Sequence, residues 1–149
     1  MADAHKVYVD ANAIIRVMEH SDEASNAVAD AFERAIAREL RLVTSELTLS
    51  EVLVVPIRMG DEFLAAAYRE LLHDAELLDL KPITKDILIG AAHIRARRTM
   101  HLPDAIHVST AEAERCSLML SFDRRLQGSG SFDVISPSDP RLTPGRRRK

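Results

Sequence analysis

Four carboxylates, Asp10, Glu51, Asp104 and Asp123, stand alone or nearly so in apolar surroundings, each where a strand or a helix is due to begin or end. If folding gathers such groups, they repel one another, and their pKa values rise unless a cation sits between them. A divalent ion held by oxygen donors suits this set. Mg2+ and Mn2+ prefer carboxylate and water, and Mg2+ commonly takes only one or two protein carboxylates while keeping several waters. Asn12, two residues after Asp10, and Ser121, two before Asp123, are spaced to hold a metal-bound water or orient a carboxylate. Each position also has an ordinary reading. Asp10 can cap the helix that follows it, Asp104 suits the positive end of a helix dipole, and Asp123 can close a turn. Thr48-Leu49-Ser50-Glu51 fits the capping-box pattern, in which the glutamate folds back onto its own helix. Asn12 and Ser121 equally read as ordinary helix-start and strand-end polar residues. What speaks for a site is the pattern shared by all four acids: apolar element, acid, next element.

The elements that must position these groups alternate along the chain. Lys6 to Val9 reads as a short buried strand ending at Asp10, and Asn12 to Glu19 as the helix after it. Ser21 is placed to cap a second helix with apolar residues from Ala24 to Ile36 at three- and four-residue spacing. Arg41 to Thr44 reads as a second strand, and a third helix runs from about Thr48 to Met59, with Pro56 as a kink and Gly60 as its stop. Asp61 caps a fourth helix through Leu72, Leu77 to Leu80 is a third strand, and Thr84 caps a fifth helix to about Arg98. Pro103 suits the first turn of a sixth helix to about Arg115, followed by strands at Ser117 to Phe122 and Phe132 to Ile135. Strands and helices in alternation, with continuous apolar strands, predict an α/β domain whose parallel sheet has helices on both faces. Ligands of such open sheets bind beyond the carboxyl ends of the strands, where Asp10 and Asp123 lie.

With 149 residues, 46% of them hydrophobic, the chain can build one domain with a sizeable core. A single cysteine, Cys116, excludes an internal disulfide and reads as a small core residue. The six histidines contain no i, i+4 pair, which argues against zinc. No signal-peptide pattern and no apolar run of roughly 18 residues occurs, so the expected compartment is the cytoplasm, with no membrane partner. Arg141, Arg146, Arg147, Arg148 and Lys149 against Asp139 give residues 137–149 a net +4, leaving the body at −7 within the total of −3. The domain is therefore expected over residues 1–136, with 137–149 a basic, flexible tail. An acidic body excludes broad, sequence-independent attraction to nucleic acid, so such a partner must be held by local basic groups or through metal.

Val7-Tyr8-Val9-Asp10-Ala11-Asn12, Ser45-Glu46-Leu47-Thr48-Leu49-Ser50-Glu51-Val52-Leu53, Leu102-Pro103-Asp104-Ala105-Ile106-His107 and Leu120-Ser121-Phe122-Asp123 resemble, in order and spacing, the four acidic motifs of PIN-domain ribonucleases. The nearest group is the VapC-type toxins of toxin–antitoxin pairs, and the resemblance covers about residues 5 to 136. It implies a three-layer α/β/α sandwich, an Mg2+ or Mn2+ site at Asp10, Glu51, Asp104 and Asp123, RNA cleavage, a small antitoxin protein as partner, and a homodimer. Ala11 departs from the Thr or Ser often found after the first Asp, which removes a supporting hydrogen bond but no carboxylate.

Arg95, Arg97 and Arg98 before Asp104, and Arg124 and Arg125 after Asp123, are candidates for RNA phosphate contact; their alternative is to complement helix dipoles and keep the surface soluble. His107, one turn after Asp104, is in reach of the site, although a histidine on such a helix is more often structural. Two rivals stand beside the nuclease reading. One is a PIN fold used only for binding. The other is a haloacid-dehalogenase-like phosphatase, suggested by Asp10-Ala11-Asn12 but lacking the second acid and a clear catalytic lysine.

Overall fold

The computed structural model describes residues 5–142. Its centre is a five-stranded parallel sheet, formed by β1 (His5–Val9), β2 (Leu40–Ser45), β3 (Asp79–Lys81), β4 (Leu118–Leu120) and β5 (Asp133–Ile135), in the order β3-β2-β1-β4-β5. Six helices connect them: α1 (Ala11–Glu19), α2 (Glu23–Ile36), α3 (Leu47–Met59), α4 (Glu62–His73), α5 (Lys85–Arg97) and α6 (Leu102–Ala113).

Strand side chains alternate between two faces, and the two faces bury different helices. Val7, Val9, Leu40, Leu42, Leu118 and Leu120 join Ile14 of α1, Val28 and Phe32 of α2, Val52 of α3 and Tyr68 and Leu72 of α4 in one core. Tyr8, Val43 and Met119 point the other way, onto Val108 and Ala111 of α6. Between α5 and α6 lies a third cluster, Ile87, Ala91, Ala105 and Ile106. The result is the three-layer arrangement expected from the alternation. Gly90 lets α5 approach closely, since a β-carbon there would fall 2.4 Å from Ser109 Oγ.

Several local expectations shift. α2 is capped by Asp22, whose Oδ1 accepts from Ser25 N at 2.8 Å, and not by Ser21. β3 starts two residues later than its apolar run, because Leu78 is buried ahead of the strand and pairing begins at Val43 with Asp79. β4 ends at Leu120, since the Ser121 hydroxyl turns to the acids beyond it. α3 continues through Pro56 and stops where Gly60 takes φ 68°, a left-handed conformation that glycine adopts without a side-chain clash.

The chain also stays packed past Ser136, where a free tail was expected. Leu142 is 1% exposed within the larger core, and Arg141 ties Asp133, Asp139 and, through its carbonyl, Arg34 of α2. The basic run Arg146 to Lys149 lies outside the described residues. No helix among the described residues is long and apolar enough to cross a membrane.

Candidate active site

The sheet order creates the site. After β1 the chain adds β2 and β3 on one side, then crosses to add β4 and β5 on the other, so the connections leaving β1 and β4 diverge and open a crevice at the carboxyl end of the sheet. Val9 pairs with Leu120, which sets the next residues of the two strands, Asp10 and Ser121, side by side.

Asp10 is 6% exposed. Its Oδ1 accepts from Ala13 N at 3.0 Å and caps α1, as the ordinary reading predicts. Its Oδ2 accepts from the Ser121 hydroxyl, which also accepts from Asp123 N at 3.0 Å. Ser121 thus links the acids after β1 and β4. Burial raises the Asp10 pKa, with a smaller push from Glu51, against the hydrogen bonds of Ser121 and Ala13. Capping uses one oxygen of Asp10 and leaves the carboxylate in a setting where a nearby cation would stabilise it.

Glu51 is not part of a capping box. Thr48, the residue that would cap, lies inside α3, and its hydroxyl bonds Thr44 at 2.8 Å, while Thr44 donates to Val9 O at 2.7 Å. These contacts fasten the first turn of α3 to the ends of β1 and β2, so Glu51 projects from a fixed turn. Its Oε1 lies 2.5 Å from His107 Nε2, and His107 Nδ1 lies 2.5 Å from the Tyr8 hydroxyl. A carboxylate can only accept, so Nε2 donates to Glu51, and Nδ1 of the neutral ring accepts from Tyr8. Burial keeps the Tyr8 hydroxyl protonated by raising its pKa well above the usual value. His107 is 4% exposed and therefore orients Glu51 from below the crevice. Tyr8 and His107 form a support that the sequence only hinted at. Alternation along β1 sends Tyr8 to the α6 face, but their pairing across 99 residues needs the fold.

Asp104 is half-buried in the first turn of α6, and its carboxylate takes part in no hydrogen bond or ion pair among the described residues. Asp123 caps the 3-10 turn Arg124–Leu126 and pairs with the Arg125 guanidinium at 2.7 and 2.9 Å. This hydrogen bonding holds the Asp123 pKa below the usual carboxylate range, and Arg125 also feels the charge of Asp104. Among the described residues no three His, Cys, Asp or Glu side chains converge as a ready-made metal cluster. Each of three acids has a protein partner instead: Ser121, His107 or Arg125. The donor chemistry still fits a hard divalent ion. All four candidates are oxygen donors, Asp10 is buried without a cationic partner, Asp104 is unpaired among the described residues, and Mg2+ needs few protein ligands.

Asn12 is exposed, with no hydrogen bond to Asp10. Among the basic candidates, Arg95 bonds Met100 O and Arg98 bonds Arg125 O and Gln127 O, so both brace loops. Arg97 and Arg124 are exposed.

No curated protein matches the sequence. Solved structures do match in fold. VapBC2 from Rickettsia felis, bound to a DNA fragment from its promoter, superimposes with a TM-score of 0.71 at 9% identity, covering 87% of this chain and 97% of that one. DNA-bound VapBC from Salmonella typhimurium gives 0.70 at 15% identity over 89% and 98%. VapC20 from Mycobacterium tuberculosis, a toxin that cleaves the sarcin-ricin loop, gives 0.62 at 17% identity over 79% and 90%. At such identities these likenesses speak for the fold alone. The model of the PIN domain matches residues 7–128, a span that holds all four acids, and the chain belongs to the PIN domain family.

Proposed function

We propose that this protein is a metal-dependent endoribonuclease that serves as the toxin of a toxin–antitoxin pair. The observation that carries the reading is the join between Asp10 and Asp123 through Ser121 at the diverging strands of a PIN fold, with Glu51 close enough to raise the Asp10 pKa. Asp10, Glu51, Asp104 and Asp123 are the residues that would hold Mg2+ or Mn2+. A bound ion would supply a more acidic water for in-line attack and offset charge on the phosphodiester.

The chain's own residues do the rest. Ser121 fixes the Asp10 carboxylate, Tyr8 and His107 fix Glu51, and Arg125 holds Asp123. Arg97 and Arg124 are exposed and suited to meet RNA phosphate, whereas Arg95 and Arg98 are engaged with carbonyls. The phosphatase rival loses ground, because its second acid is replaced by an exposed Asn12 turned to no partner in the crevice. A binding-only PIN fold remains the contrasting reading, and retention of all four acids favours cleavage over it.

A small antitoxin and a second copy of the chain are the proposed protein partners. Val54, Val55, Ile57 and Met59 of α3 and Phe63 of α4 are all exposed and give such partners an apolar surface. Purified protein is expected to cut RNA with Mg2+ or Mn2+ and to stop with EDTA; equal cleavage in chelator rejects the metal mechanism. Expression is expected to arrest growth, with relief by Asp10→Ala or by an adjacent small reading frame. Vigorous growth with soluble wild-type protein and no partner would reject the toxin role.

A further inference from the structure

The chain has four Phe, two Tyr and no Trp. Four of these six aromatic rings, Tyr8, Phe32, Tyr68 and Phe132, are buried, and Phe63 lies out on α4. Phe122 is different. It is 36% exposed and sits between Ser121, which holds Asp10, and Asp123 itself. Its backbone therefore borders the acidic crevice, between a residue that holds Asp10 and the acid Asp123.

The ring also has a cation beside it. The guanidinium carbon of Arg16, in the last turn of α1, lies 5.1 Å from the ring centroid. Arg16 Nη1 also pairs with Asp22 Oδ2 at 3.0 Å, and the rest of its donors have no protein partner among the described residues. An aromatic face with an anchored guanidinium is the pairing that grips an unpaired nucleobase and the phosphate next to it, because every base offers a π-face and the guanidinium can stack or donate. It also suits an acidic body, since stacking does not depend on net charge.

We propose that Phe122 and Arg16 form a subsite for one unstacked base of single-stranded RNA, holding the nucleotide that flanks the bond to be cut. The inference rests on the ribonuclease reading and adds to it the two side chains that would take the base. Arg16 is a phosphate or stacking contact in this arrangement, and Phe122 is the base platform.

The full-length chain allows a direct test, because Phe122→Trp creates its only tryptophan. In EDTA, so that nothing is cut, an unstructured oligoadenylate is expected to quench that emission, while the same backbone with abasic sites, or a duplex, quenches it several-fold less. In Mn2+, Phe122→Ala is expected to raise KM for a single-stranded substrate about tenfold with kcat held within a few-fold, and Phe122→Tyr to restore KM. Circular dichroism of each variant checks folding, and the Tyr variant keeps the test decisive if Trp or Ala disturbs the loop. Equal quenching by abasic and adenylate strands, or an unchanged KM in Phe122→Ala while wild type cuts RNA, overturns the base subsite and leaves the nuclease reading standing. Wild-type protein that neither cuts nor binds RNA overturns both.

Discussion

The two sides of the acidic crevice are built differently. On the β1 side, Asp10 and Glu51 are held by buried groups: Ser121, the backbone of Ala13, and His107 backed by Tyr8. On the β4 and α6 side, Asp123 is held by Arg125, whose side chain is 79% exposed, and the Asp104 carboxylate has no hydrogen bond among the described residues. A buried hydrogen-bonded network keeps its geometry at a high cost for any unmade bond, whereas a solvated ion pair is weak and readily exchanged. One side is set in advance and the other can be remodelled when a cation or substrate arrives.

The largest expected effect comes from breaking the fixed side at its charge. Asp10→Asn keeps an oxygen for the α1 cap but loses the anionic ligand, so cleavage is expected to drop roughly a thousandfold, read as initial rate in Mn2+. Stability should move the opposite way. Burial places the folded pKa of Asp10 above its unfolded value, so the stability present with the carboxyl protonated is lost as pH rises through the folded value. In chelator, thermal melts should therefore show Asp10→Asn more stable than wild type at neutral pH, with the gap closing as pH falls below the ordinary carboxylate range. A variant less stable than wild type at every pH would mean that the Ser121 bond outweighs the buried charge.

Next in size is the support beneath Glu51. Tyr8→Phe leaves His107 Nδ1 buried without its donor, at an expected cost of about 1–2 kcal/mol in urea unfolding. Loosening a group that orients a ligand should also weaken Mn2+ binding by roughly tenfold, measured by titration calorimetry. Unchanged metal affinity would reduce Tyr8 and His107 to core residues.

Much of this was legible in the chain. Strand and helix alternation, Asp61 and Thr84 as caps and Gly60 as a stop all follow from local chemistry and recur in the structure. Thr48-x-x-Glu51 shows where local reading ends: the same four residues fit a capping box, but a hydroxyl from Thr44 and an imidazole from α6 outcompete that pattern. Tyr8 and His107 were not legible as a pair, since neither spacing nor periodicity connects β1 with α6. Leu142 escaped for a similar reason, because proline and arginine around it outweigh one apolar residue in composition.

The smallest effect belongs to the exposed side. Arg125→Gln removes the guanidinium that depresses the Asp123 pKa, so that carboxyl should titrate closer to its ordinary value by NMR. Melting temperature should hardly move, because the pair is solvated. Cleavage should change by only about a few-fold if Arg125 is a displaceable partner, since exposed charge pairs carry little energy; a loss as deep as that of Asp10→Asn would show both sides to be equally fixed.

The pairing of β1 with β4 has a consequence for biosynthesis. Asp10 emerges from the ribosome early, but Ser121, which aims its carboxylate, follows 111 residues later, and β4 cannot join the sheet before α5 and α6 have been made. Long-range parallel pairing is slow to form for the same reason. A nascent or prematurely terminated chain thus carries Asp10, Glu51 and even Asp104 without the strand that organises them. The crevice can therefore close only after β4 has been made, well after Asp10 and Glu51 have left the ribosome.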